Sequence, residues 1–140
     1  MKLSVIIPVY NEAGTILEVI KKVKEAPYDK EVFVVDDAST DGTRQLLEKY
    51  EDGIRIFFHE TNRGKGASIR TVLPHLTGDM VIIQDADLEY DPSEYPHLIT
   101  PILEGRADVV YGSRFLGRPH RVLLFWHSVG NKIVTTLCNM

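Results

Sequence analysis

Residues 81–92 read VIIQDADLEYDP. Apolar residues run straight into four acids, Asp85, Asp87, Glu89 and Asp91. The first half predicts a buried strand, and the second crowds carboxylates at its end. Two such charges about 5 Å apart repel by roughly 3 kcal/mol at an effective dielectric near 20. Open water or a cation must offset that. Asp85 and Asp87 project to one side of an extended chain while Ala86 projects to the other. The natural occupant is a hard divalent cation, Mg2+ or Mn2+. Such an ion takes one or two carboxylates and keeps other positions for water or substrate phosphate oxygens. Taken alone, the same acids are equally well read as a solvated loop that ends a strand.

The rest of the chain decides between the two. Strands are predicted over 3–9, 31–37, 54–60, 79–85 and 107–113, and helices over about 12–26, 40–51, 65–76 and 93–104. The strand centres are apolar on both faces, as parallel strands covered by helices on both sides should be. Alternation of strand and helix implies right-handed crossovers and an open, mostly parallel, twisted α/β sheet. Each strand then runs into polar residues: Tyr10, Asn11 and Glu12; Asp36 and Asp37; Asn62 and Arg63; Asp85 and Asp87; Ser113 and Arg114. Ligands of open α/β sheets bind outside the carboxyl ends of the strands. All five predicted ends thus feed one rim, and the solvated-loop reading of the acids loses its appeal.

The rim also carries cations. NRGKGASIR, 62–70, sets two glycines and two cations ahead of a helix start, where free backbone N–H groups favour anions. Between 106 and 132, Arg106, Arg114, Arg118, Arg121 and Lys132 face a single acid, Asp108. Arg114, at a strand end, suits bidentate phosphate contact. In DDASTDGT, 36–43, Ser39, Thr40 and Asp41 are helix-capping types, and Asp37 is placed to accept from a nucleobase or ribose.

Composition narrows the class. With 140 residues, 44% of them hydrophobic, the chain suits one domain with a real core. A net charge of −4 argues against a general nucleic-acid binder. The single cysteine, Cys138, excludes an internal disulfide. Histidines 59, 75, 97, 120 and 127 lack ligand-like spacing and read as surface or packing residues. The opening MKLSVIIPVYNE turns polar too soon for a signal peptide, and no apolar run reaches the ~20 residues of a membrane span, so a cytoplasmic domain is expected. A dehydrogenase needs G-x-G-x-x-G in the first strand-to-helix turn; here Gly64 and Gly66 follow the third strand and Ile69 completes the pattern. A P-loop is absent. A phosphoacceptor receiver would place its acid pair after strand one and a lysine after strand five, where this chain has Tyr10-Asn11-Glu12 and Ser113-Arg114.

Taken together, PVYNE (8–12), VVDDASTDGT (34–43), NRGKGA (62–67), QDADLEYDP (84–92) and YGSRF (111–115) resemble glycosyltransferase family 2, most of all its dolichol-phosphate mannosyltransferase-like branch. The resemblance covers essentially the whole chain. It implies the nucleotide-binding α/β fold called GT-A and transfer of a sugar from a UDP- or GDP-linked donor, with inversion, to a polyprenyl phosphate or glycan acceptor. It also implies that Pro8, Tyr10, Glu12, Val35 and Asp37 surround the nucleotide, with Ala67 and Ala86 against it. Asp85 and Asp87, with Glu89 nearby, would hold Mg2+ or Mn2+, and Arg114 would reach the phosphates. A sugar-hydroxyl acceptor would need a carboxylate base, for which Asp91 is the candidate; an anionic lipid phosphate would need none.

The family's catalytic domain normally continues well past residue 140. The expected division is a nucleotide-sugar-binding domain over 1–118 and an amphipathic helical segment over 119–140. On that segment Val122, Trp126, Val129, Ile133, Leu137 and Met140 fall on one helical face. That stripe suits packing against an absent C-terminal part, a seam with a second copy, or contact with the cytoplasmic face of a membrane. Two readings follow: a glycosyltransferase completed elsewhere, or a nucleotide-sugar-binding module without turnover of its own.

Overall fold

Strand β1, Leu3–Val9, is the axis of the computed structural model, which describes residues 1–112. It is followed by α1 (Ile16–Glu25), β2 (Lys30–Asp36), α2 (Thr43–Glu48), β3 (Arg55–Phe58), α3 (Lys65–Val72), β4 (Met80–Ile83) and α4 (Tyr95–Leu103), with 3₁₀ turns at Leu73–His75 and Pro92–Glu94. The four strands form a parallel sheet in the order β3-β2-β1-β4. Contacts divide the chain into two compact units, Met1–Thr100 and a second from Pro101 onward. The boundary expected at 118/119, the segment 119–140, Ser113 and Arg114 lie outside the described residues.

Alternation builds the two faces of the sheet. Leu3, Val5, Ile7 and Val9 of β1 and Val32 and Val34 of β2 share one core with Ile16, Val19, Ile20 and Val23 of α1 and Leu47 of α2. Those four α1 residues recur at helical spacing, which is why this segment is a helix and not a strand. On the other face Ile6, Phe33 and Val35 pack with Val72 of α3. Helices on both faces bury β1 and β2 almost completely, as the sequence implies.

Two expectations need correction. Residues 107–112 form no strand: Val109 and Tyr111 are exposed, and the segment pairs with no neighbour among the described residues. Its β-branched and aromatic residues favour a strand only when a partner strand supplies the ladder. Nor is every strand covered on both faces. Val81 and Ile83 of edge strand β4 are 48% and 49% exposed.

The amino end of the sheet is closed by a polar network. Glu31 accepts from Ser4 Oγ at 2.6 Å, Thr77 N at 2.6 Å, Thr77 Oγ1 at 2.8 Å and Lys2 Nζ at 3.1 Å. Burial opposes its charge, but the Ser4, Thr77 and Lys2 hydrogen bonds prevail and hold the carboxyl at about 2. Gly78 lets the chain pass close here, since a Cβ on it would lie 2.7 Å from Ser4 N. Among the described residues no helix is long and apolar enough to cross a membrane.

Candidate functional site

The strand order reverses direction between β1 and β4: β2 and β3 build outward on one side of β1, and β4 on the other. In open α/β sheets a ligand crevice is expected at such a reversal, here at the carboxyl ends of β1 and β4. The acids after β4 stand on its edge.

The loops at these strand ends are tied to one another. Asn11 N donates to Ser39 Oγ at 2.9 Å, and Thr40 N donates to Asn11 Oδ1 at 2.8 Å. Glu12 N donates to Thr43 Oγ1 at 2.9 Å, and Ala13 N to Asp41 Oδ2 at 3.0 Å. The loop after β1 is thereby laced to the loop after β2. Ser39 and Thr40 serve this lacing and not a helix cap, while Asp41 Oδ1 accepts from Thr43 N at 3.0 Å at the start of α2. Each rim loop also turns through a left-handed residue: Asn11 (φ 56°), Ala38 (φ 63°), Gly64 (φ 83°) and Leu88 (φ 62°). For Ala38 and Leu88 this costs roughly 1–2 kcal/mol each, strain of the kind that gathers at ligand sites.

Asp37 is the hub. It is 3% exposed, and its carboxylate faces the protein. Oδ1 accepts from His59 Nδ1 at 2.7 Å and Arg63 N at 2.9 Å; Oδ2 accepts from Gly64 N at 2.6 Å and Arg63 N at 3.1 Å. Burial opposes the charge, yet hydrogen bonds from Arg63, His59 and Gly64 outweigh it and hold the carboxyl below its ordinary value. The sequence places Asp37 at the rim to accept from a base or ribose. In the fold its acceptor positions are filled by the following loop. The amides of residues 63 and 64, just ahead of the helix start where an anion was expected, are held by this internal one.

His59 is no surface residue. It is 7% exposed, and its backbone N donates to Asp36 O at 2.8 Å, extending β3 by one step. Since Asp36 pairs with Phe58, the next rung sets His59 across from Asp37. Register carried that signal, but spacing along the sequence did not. Asp36 itself is fully buried, with Oδ2 accepting from Ser39 N at 3.3 Å. Its Oδ1 has no hydrogen-bond partner among the described residues, and no feature of the structure explains why.

The acid loop hangs on Gln84, which the sequence did not single out. Its side chain is buried; Nε2 donates to Asp85 O at 3.1 Å and Tyr90 O at 2.9 Å, and Oε1 accepts from Tyr95 Oη at 2.9 Å. Burial pushes the Tyr95 phenol up, so it stays a donor. Asp87 Oδ1 accepts from Glu89 N at 3.0 Å, closing a turn. Asp85 forms an ion pair with Lys65, the first residue of α3. Asp37 and Asp85 thus bear on one segment, 63–65, although their strands flank β1 and lie roughly 10 Å apart.

Among the described residues no group of three or more His, Cys, Asp or Glu is arranged to hold a metal ion, so the expected gathering of Glu89 with Asp85 and Asp87 does not form. Asp91 is also displaced from its expected role as a base. Its Oδ1 caps the 3₁₀ turn through Ser93 N at 2.9 Å, and its Oδ2 pairs with Lys22 Nζ at 3.3 Å. Hydrogen bonds from Ser93, reinforced by Lys22, hold its carboxyl below the usual range, unlike a general base. Of the expected nucleotide neighbours, Tyr10 is 47% exposed and Pro8 partly buried, while Val35, Ala67 and Ala86 are buried. Glu12 Oε2 accepts from Thr15 Oγ1 at 2.7 Å.

Comparison with known proteins supplies the class. The hexosyltransferase Agl6 of low-salt glycan biosynthesis in Haloferax volcanii is 34% identical, over 99% of this chain and 34% of its own length. An undecaprenyl-phosphate 4-deoxy-4-formamido-L-arabinose transferase of Pseudomonas fluorescens is 38% identical, over 69% of this chain and 30% of its own. Among solved structures, a Pyrobaculum calidifontis mannosyltransferase in complex with GDP-Man and Mn2+ is 41% identical with TM-score 0.53, over 61% of this chain and 27% of that one. S. aureus TarS 1-349 in complex with UDP is 31% identical with TM-score 0.64, over 86% and 38%. The chain therefore spans about a third of the length of the relatives it matches. The fold is of the GT-A type seen in these neighbours. Residues 4–138 match the family described as Glycosyl transferase family 2, and the chain belongs to that family.

Proposed function

We propose that the protein is a metal-dependent, inverting glycosyltransferase. It moves a sugar from a UDP- or GDP-linked donor to an acceptor, foremost a polyprenyl phosphate. The observation that carries this reading is the convergence of Asp37 and Asp85 on residues 63–65, beside the crevice at the strand-order reversal.

Asp85 and Asp87 fit a hard cation. They offer two carboxylates, one held in a turn by Glu89 N, and Asp85 already carries the Lys65 ammonium. Two such donors suit Mg2+ or Mn2+, with the remaining positions filled by water and diphosphate oxygens. When bound, such an ion supplies Lewis-acid stabilisation of the diphosphate leaving group. The protein's own groups do the rest. Tyr10 and Pro8 give an accessible surface for the base. Glu12 reaches the nucleotide from the β1 loop, the small Ala67 and Ala86 admit its close approach, and Val35, fully buried, supports the rim from within the core. Lys65, released from Asp85, and Arg114, outside the described residues, neutralise the phosphates.

A polyprenyl phosphate oxygen is anionic at neutral pH and attacks without a base, which agrees with Asp91 serving as a cap. The Pseudomonas relative carries undecaprenyl phosphate in its name, and the Pyrobaculum structure holds GDP-Man with Mn2+. Such an acceptor puts the reaction at the cytoplasmic face of a membrane.

Calorimetry with GDP-mannose and UDP-GlcNAc, with and without Mn2+, tests the reading, followed by transfer of labelled sugar to undecaprenyl phosphate in vesicles. Mn2+-dependent binding and transfer are expected. Binding of equal strength in EDTA refutes the metal role. Binding without transfer or donor hydrolysis would instead select a second reading, a nucleotide-sugar-binding module without turnover of its own.

A further inference from the structure

His59 connects two elements that the donor site depends on. Its Nδ1 meets Asp37 Oδ1 at 2.7 Å at the end of β2, and its Nε2 meets Thr71 Oγ1 at 2.8 Å on α3. Both carboxylate oxygens of Asp37 then collect the amides of Arg63 and Gly64. One residue further on, Lys65 opens α3 and pairs with Asp85. The path from α3 to the acid loop is therefore continuous: Thr71, His59, Asp37, the 63–64 amides, Lys65, Asp85.

We propose that His59 is a positioning residue for the donor site. It sets the orientation of the Asp37 carboxylate, which holds the 63–65 turn in shape and so delivers Lys65 to the edge of the crevice. This rests on the glycosyltransferase reading for its functional consequence, though its structural part stands apart from that reading.

The chemistry explains why a histidine serves here. Asp37 Oδ1 takes a side-chain donor beside the Arg63 amide, and that donor must come from within the protein. The ring's Nδ1–H does this from the next rung of the sheet. Nε2 then needs a partner of adaptable polarity, and a hydroxyl is one, able to donate or accept. Thr71 Oγ1 also lies 3.1 Å from Ala67 O, so its proton has a second acceptor one turn back along α3. With the hydroxyl donating to Nε2, the neutral ring keeps its one N–H at Nδ1 for Asp37. Gly64, at φ 83° and ψ 160°, occupies a backbone region that only glycine visits readily, so the turn needs such a clamp.

The test compares His59→Phe, His59→Asn and Thr71→Val in the full chain with three readouts. These are thermal unfolding, amide shifts and hydrogen exchange at Arg63 and Gly64 by NMR, and the dissociation constants of GDP and UDP with Mn2+. His59→Phe fills the space but cannot donate. It is expected to lose protection at both amides and weaken nucleotide binding about tenfold, the range set by losing a hydrogen bond to a charged group. His59→Asn, which keeps a donor toward Asp37, should recover most of both. Thr71→Val leaves the ring and frees one end, and should shift the same amides and weaken binding about threefold. If His59→Phe does not fold, the Asn and Val variants decide by the same readouts. Unchanged amides and unchanged binding in the folded variants overturn the proposal, as does weakened binding with both amides still at their wild-type shifts. Failure of the wild type to bind either nucleotide sinks the functional reading instead, and the amide readout then still decides whether His59 holds the turn.

Discussion

Asp36 and Asp37 are adjacent, buried and chemically identical, yet the structure assigns them opposite energetic roles. Asp37 accepts from Arg63 N, Gly64 N and His59 Nδ1. In Asp37→Asn one oxygen survives, and the new amide NH2 points its hydrogens at groups that are themselves donors. Losing two charge-assisted hydrogen bonds at about 1.5 kcal/mol each gives roughly 3 kcal/mol. That agrees with the roughly 3–5 kcal/mol typical of breaking a buried pair by removing one partner. Asp36 has one long hydrogen bond and one orphaned oxygen, so Asp36→Asn disturbs little hydrogen bonding. A cost under about 1 kcal/mol is expected for it. Urea unfolding at pH 7 reads both, with a drop in melting temperature on the order of 10 °C for Asp37→Asn. The pH dependence has a definite sign. The folded carboxyl of Asp37 lies below its ordinary value, so its contribution is whole above about pH 4 and is lost as pH falls through the folded value. Equal losses for the two variants, or a loss below about 1 kcal/mol for Asp37→Asn, would refute the reasoning.

Further outcomes follow from the same contacts. Glu31, held at about 2, should contribute on the order of 3 kcal/mol above pH 4.5 and lose it progressively as pH falls toward 2. Glu31→Gln should flatten that part of the acid-unfolding curve, and an unchanged curve contradicts the network. Gly64→Ala forces a side chain into φ 83° and strains the amide that Asp37 holds, so a loss of roughly 1–3 kcal/mol in denaturant unfolding is expected. Lys65→Met removes the ammonium from Asp85 and should tighten Mn2+ binding about threefold in calorimetry; weaker binding would mean that Lys65 does not compete for that carboxylate.

The sheet was legible where burial is complete. β1 and β2 lie within one residue of the predicted 3–9 and 31–37 because both their faces are covered, which writes an uninterrupted apolar run. The edges were less so. The predicted 54–60 and 79–85 shrink to Arg55–Phe58 and Met80–Ile83, since an apolar run does not say where pairing stops. Helix α1 begins at Ile16, past the predicted start at 12, because Asn11 turns left-handed and residues 12–15 complete the turn. At the site, polar residues do follow the four described strands, while the fifth predicted end has no strand behind it. What each carboxylate touches could not be read from them. The pairing of Asp37 with His59 depends on the register of β2 with β3, and that of Asp85 with Lys65 on a loop crossing the end of β1. Neither leaves a periodic trace in the sequence.

If Asp85 and Asp87 hold a divalent ion that binds a nucleotide diphosphate, Mn2+ itself reports on it. The free-ion electron paramagnetic resonance signal, titrated with the full chain and GDP or UDP, measures bound Mn2+ in the wild type, Asp85→Ala and Asp87→Ala. Nucleotide-dependent loss of the free signal is expected in the wild type, weakened at least about tenfold in each variant. Wild-type Mn2+ uptake by either variant would contradict that role for the two acids.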